Sequence, residues 1–210
     1  MDRTFTKSLA FGHRKKESKM FKKIFLTLTL ILTLATAFVA PLSQAHAAPF
    51  PSATDWTAIQ EQATFIAQQA QEIATAAANI QAYAAQIQDP AVVSLASEII
   101  SLASQTEQDA AAIAVTAEDI NTRIDNSEAT TLRLSDDIGT MADRIGEMAD
   151  RILWTELQIG VMADRIVESE YLISDSSLAL AQMIQSETTL IANNGAAITN
   201  SVSIIQTLLP

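Results

Sequence analysis

The chain has 210 residues, 49% of them hydrophobic, with no Cys, five Gly and five Pro. That composition excludes disulfides, a cysteine-linked lipid anchor and thiolate metal sites, and 5% aromatics favour thin helical packing over a core built on rings. Eight of the thirteen basic residues precede residue 24, whereas from residue 48 onward twenty-two acids face five Arg and no Lys, a net charge of −17 that repels nucleic acid and anionic headgroups.

Residues 1–19 are a basic extension, read either as lying upstream of a start at Met20 or as part of a long positive leader region. Residues 20–47 carry the three parts of a secretory signal. Lys22 and Lys23 supply the positive end, Ile24 to Val39 is uncharged and largely apolar, and Ala45-His46-Ala47 supplies small residues at the cleavage positions. The apolar run is about 16 residues, short of the roughly 20 that a membrane-spanning helix needs. Cleavage after Ala47 is therefore expected in preference to a retained anchor.

Residues 48–54 read as an extended lead, because Pro49 and Pro51 disfavour helix there. Ser52 and Thr54 are candidate N-caps. From Asp55 to Gln88 neither Gly nor Pro interrupts the chain, and Ile59, Ile66, Ile73, Ile80 and Ile87 recur every seven residues. Ala63, Ala70, Ala77 and Ala84 follow four places later, which makes one apolar stripe with a small half that a second helix can approach closely. Asp89-Pro90 predicts a break, with Asp89 capping and Pro90 at the first position of the next helix. That helix carries Val92, Leu95, Ile99, Leu102, Ile113, Ala117, Ile120 and Ile124. A helical hairpin follows if the break is a turn, and a kinked continuous helix if it is not. A second break is possible at Asp125-Asn126-Ser127-Glu128.

Beyond it lies a tandem heptad. Ile138-Gly139-Thr140-Met141-Ala142-Asp143-Arg144 is followed by Ile145-Gly146-Glu147-Met148-Ala149-Asp150-Arg151. A divergent Ile152-to-Gln158 block comes next, and then Ile159-Gly160-Val161-Met162-Ala163-Asp164-Arg165. Ile166 and Ile173 continue the ladder. The candidate packing and interaction residues are thus Ile138, Ile145, Ile152, Ile159, Ile166 and Ile173, with Met141, Met148 and Met162 beside them and Gly139, Gly146 and Gly160 on the other side. At about 100° per residue these span an arc of about 160°, wider than a two-stranded seam and suited to a bundle. Repeated Gly inside a helix points to a close neighbour there, and Glu147 stands four residues before Arg151, the favourable order for an ion pair. Ser127, Thr131, Thr155, Ser169 and Ser176 put polar groups into the seam, a pattern that fixes register or oligomer state. Asn193-Asn194-Gly195 predicts a helix stop, leaving 193–210 as a short uncharged terminal helix after an elongated 55–192 domain.

The expected fold is all-α: long heptad-repeat helices in a hairpin, bundle or coiled coil, behind a cleavable signal peptide. The only His residues, His13 and His46, precede the cleavage point, so the processed chain has no His, Cys or Lys. Nucleophilic triads, Schiff bases and His-ligated zinc lose their usual parts. Adjacent acids such as Asp136-Asp137 and Glu118-Asp119 diverge by about 100° on a helix and read as a solvated face. The Met ladder reads as core, because Met residues strung along a seam do not converge on one ion. No cofactor and no metal are expected. The reading is an exported, periplasmic or secreted, non-enzymatic structural or interaction protein that contacts itself or an envelope protein. Two alternatives stand beside it. One is a membrane-active helical protein of the α-pore-forming type, which the chain resembles only in broad architecture, with Ala110 to Val115 and the tail after Glu187 as inserting segments. The other is an acidic cation binder or holdase.

Overall fold

The computed structural model describes residues 51–126 and 132–209, apart from the side chains of Thr54 and Leu132. The signal segment with its Ala45 and Ala47 cleavage positions lies outside the described residues, as do Ser127 and Thr131. Four long helices make up the described chain: α1 (Ala53–Gln86), α2 (Val93–Asp125), α3 (Leu132–Glu168) and α4 (Asp175–Leu208), with a short 3-10 turn at Glu170–Leu172 between the last two. They belong to one compact unit. Extensive contacts join α1 to α2, α2 to α3, α3 to α4 and α4 back to α1. Bonds between early residues of one helix and late residues of its neighbour make α1–α2, α2–α3 and α3–α4 antiparallel, and the pairs Glu72–Asn194 and Asn79–Glu187, which run in opposite directions along the two helices, do the same for α4–α1. The described residues form an up-down-up-down four-helix bundle.

One residue pattern builds all four walls. Ile59, Ile66, Ile73, Ile80 and Ile87 of the α1 strip are fully buried, and Ala63, Ala70, Ala77 and Ala84 lie buried four places on. In α2 the pair is Ile99, Ile113 and Ile120 with Ala96, Ala103, Ala110 and Ala117. In α3 it is Ile138, Ile145, Ile152, Ile159 and Ile166 with Ala142, Ala149 and Ala163. In α4 it is Ile184, Ile191, Ile198 and Ile205 with Ala181, Gly195 and Val202. An interval of four and then three keeps both residues on one stripe. The small member lets neighbouring axes approach while the branched Ile fills the space. Each buried Ile contributes roughly 1.5–3 kcal/mol relative to exposure.

The α3–α4 seam shows how size complementarity sets the register. A Cβ added at Gly139 would touch Leu209 at 3.6 Å, and one at Gly146 would touch Val202 at 3.6 Å. One heptad later the roles exchange. Leu153 stands in the glycine slot of the repeat, and Gly195 of α4 receives it, so that a Cβ at Gly195 would lie 2.9 Å from Leu153 Cδ2.

Between helices, amide side chains take the place of the missing Lys. Gln60 donates to Asp125 at 2.6 Å, Gln81 to Glu107 at 2.7 Å, Gln185 to Asp164 at 2.6 Å and Gln206 to Asp143 at 2.7 Å. Asn79 donates to Glu187 at 3.1 Å and Asn194 to Glu72 at 3.0 Å. These bonds satisfy carboxylates without neutralising them, so the acidic charge persists at the surface.

Several local expectations are corrected. Asp89 does not cap α2, which starts three residues after Pro90 at Val93 without a side-chain cap. Its carboxylate instead crosses to the other loop at that end, accepting from the Ser174 amide at 3.1 Å and hydroxyl at 2.9 Å. Ser177 and Ser174 hold that carboxyl below its ordinary value. Asn193-Asn194-Gly195 is no stop: α4 runs through it, and among the described residues no Gly has positive φ. The Gly is there for Leu153, and Asn194 is spent on Glu72, so neither is free to terminate the helix. The separate terminal helix 193–210 therefore does not exist as such. The break falls earlier, between Glu168 and Asp175, where Ser174 caps α4 by accepting from the Ser177 amide. Ile173 is thus a half-buried loop residue rather than a rung of α3. Arg151 bridges to Asp109 of α2 at 2.7 Å rather than pairing mainly with Glu147. Other expectations match: Ser52 caps α1 in a reciprocal capping box with Asp55, and α2 ends at Asp125.

Opposite signs are predicted for two glycines. Gly146→Ala meets only ordinary contact and should raise stability by up to about 1 kcal/mol through helix propensity. Gly195→Val collides with Leu153 and should cost about 1–3 kcal/mol, a loss that shrinks when Leu153→Ala is added. Urea unfolding of Gly146→Ala, Gly195→Val, Leu153→Ala and the Gly195→Val/Leu153→Ala double variant measures this, and equal effects at both glycines would refute the knob-and-hole account.

Candidate interaction site on the third helix

The α3 repeat places Ile, Met and Ala inward, and Asp and the residue after Gly outward. Met141, Met148 and Met162 are buried beside the Ile ladder, as are Ala142, Ala149 and Ala163. Gly139, Gly146 and Gly160 are half-buried against the α4 side or their own helix. The residues singled out from the repeat therefore face neighbours within this chain, and their seams are occupied.

The divergent heptad, Ile152 to Gln158, reverses this polarity. Its Met slot holds Thr155 and its Ala slot holds Glu156, whereas its outward slots hold Trp154 and Leu157 in place of Thr140 or Glu147 and of Asp143, Asp150 or Asp164. The structure keeps all four where the helix puts them. Trp154 is 64% exposed and Leu157 52%, and Val161 of the next repeat extends the stripe at 53%. These positions, i, i+3 and i+7, fall on one narrow face about 10 Å long.

Inside the same turn the core becomes polar. Thr106 of α2 occupies the slot that Ile99, Ile113 and Ile120 fill, and its hydroxyl lies 2.9 Å from that of Thr155, both residues being buried. Each hydroxyl also reaches a carbonyl of its own helix, Thr106 to Leu102 at 3.1 Å and Thr155 to Arg151 at 3.1 Å. With one proton each, one hydroxyl donates across the seam and the other donates backward, so the pair is satisfied. Glu156 is different. It has no hydrogen bond or ion pair among the described residues, its Oε1 lies 3.9 Å from the position of a Cβ on Gly160, and burial pushes its pKa up to about 7.

Other acids of the bundle make pairwise contacts with Arg or Gln. Arg123 bridges Asp119 and Asp137, each at 3.2 Å, and Asp143 and Asp164 of the repeat accept from Gln206 and Gln185. Among the described residues no cluster of three metal-ligating side chains forms, and no helix is long and apolar enough to cross a membrane. Sequence reasoning noted the heptad's divergence and Thr155 within the seam, but not the outward Trp154 and Leu157. The available signal was that both faces of one repeat change polarity together. No family model, curated protein or solved structure matches the chain.

Glu156 predicts a pH dependence. The folded value, about 7, lies above the ordinary 4.5, so the folded chain keeps this proton longer than the unfolded one. Its contribution is fully present below about pH 4.5 and is lost as pH rises through about 7, to a limit of about 3 kcal/mol. Glu156→Ala should flatten that part of the curve and be the more stable protein at pH 8.5. Parallel wild-type and variant urea midpoints at pH 5 and 8.5 would show the carboxyl to be solvated.

Proposed function

We propose that this chain is an exported, periplasmic or secreted protein that acts by contact rather than catalysis, presenting an acidic four-helix bundle to an envelope protein. The observation that carries this reading is that everything after residue 47 lacks His, Cys and Lys, so the contact surfaces of the bundle are what it has to offer. Burial of the Ile, Met and Ala seams within one chain supports a separate protein partner over self-association through those seams. Export rests on the Lys22-Lys23 start, the apolar run and the Ala45-His46-Ala47 site.

Processing provides the test. Mass spectrometry of the periplasmic and medium fractions is expected to find a chain beginning at Ala48, and Ala47→Phe should leave the unprocessed chain behind, because the peptidase accepts only small residues at that position. A full-length chain confined to the cytosol would overturn the export reading. Light scattering of the processed chain is expected to give a monomer, and a stable oligomer at low micromolar concentration would return the contact to a second copy.

A further inference from the structure

The reversed heptad has an outer half that the bundle itself does not use. Trp154, Leu157 and Val161 give α3 an apolar ridge in a stripe that is otherwise acidic. On the same stripe exposed Glu147 and Asp150 precede the ridge, and exposed Asp164 and Glu168 follow it. Asp164 accepts a hydrogen bond from Gln185, which leaves its charge in place. Of the two nearby cations, Arg151 is spent on Asp109, and Arg165 stands exposed at one edge. The two flanks of the ridge thus carry more negative than positive charge.

Resting on the contact function proposed above, we infer that the Trp154–Leu157–Val161 ridge of α3 is the docking face for a basic amphipathic helix of a partner protein, its apolar residues seated on the ridge and its Lys or Arg residues over the acidic rim. Three observations select this occupant. The ridge has helical spacing, i, i+3 and i+7, along one exposed face of α3, which suits a helix laid alongside. The rim is complementary to cations. A second copy is disfavoured, because face-to-face α3 helices would set four-acid rims against each other on chains that each carry −17 after residue 47. An anionic lipid surface is disfavoured for the same reason.

The test uses the unit from Ala48 to Pro210, which contains the whole bundle core. Two fluorescent peptides of about 20 residues (long enough to lie along the ridge as a helix) share an apolar face of Leu and Ile. One is flanked by Lys and the other by Glu. Anisotropy is expected to show the Lys peptide binding at about 100 µM or tighter, with at least about tenfold weaker binding for the Glu peptide and a several-fold loss on raising salt. Trp154 emission should shift to the blue on binding, since the other tryptophan of the unit, Trp56, is already buried. The variant Trp154→Glu/Leu157→Asp restores the residues of the sister repeats, which fold in the same helix, and should lose binding at least about tenfold with unchanged circular dichroism.

Equal affinity for both peptides, or full binding by the variant, overturns the proposal. So does a Trp154-dependent dimer, or preferential partition onto neutral vesicles. A wild-type chain that is exported and processed but ignores the Lys peptide sinks this assignment alone. A chain never exported sinks the broader function.

Discussion

Close approach between helices is the constraint on which the rest depends. An Ile followed four places later by Ala, or by another small residue, brings neighbouring axes together and still fills the space between them. Every helix of the bundle uses the device, so every wall has the same chemistry. Uniformity creates a register problem, since a seam that repeats every seven residues can slide by one heptad with little change in burial. The exchange of knob and hole at Leu153 and Gly195, against Gly146 and Val202, makes such a slip costly. The Thr106–Thr155 pair adds a polar rung that is satisfied in only one alignment.

Charge is handled in an unusual way for a helical bundle. With no Lys after residue 47, carboxylates at the seams are met by Gln and Asn. Amide donors provide directional bonds without neutralising charge. The surface stays acidic even where it is fully hydrogen-bonded, which ties the internal construction to the kind of surface shown outward. Only Arg123 and Arg151 form ion pairs between helices among the described residues.

Within the tandem repeat of α3, departures on the inner and the outer face coincide in one heptad. Polar Thr155 and Glu156 weaken the core where apolar Trp154 and Leu157 interrupt the acidic exterior. Burial of Glu156 lowers stability at neutral pH, and exposure of Trp154 forgoes burial. Neither is needed by a bundle whose sister repeats already supply better choices at both positions. Natural sequences depart from local consistency mainly at functional or strained sites, and that is the physical ground for placing function here.

The sequence by itself determined the all-helical class, the Ile–Ala stripe, a break near Asp89-Pro90 and a cap at the start of α1 from Ser52 or Thr54. Each follows from spacing along one helix or from composition, and none depends on what a helix meets. Tertiary structure decided the rest. Gly195 reads locally as a terminator, yet across the seam it is the hole for Leu153, so α4 continues. Asp89 reads as a cap for the next helix, yet Ser174 on a distant loop claims it. The break before Asp175 was hidden because Ile166 and Ile173 keep the heptad phase across a turn. Partners far apart in sequence leave no trace in local pattern, so the wide apolar arc suited a bundle, but which helices close on one another was decided by contacts between distant segments.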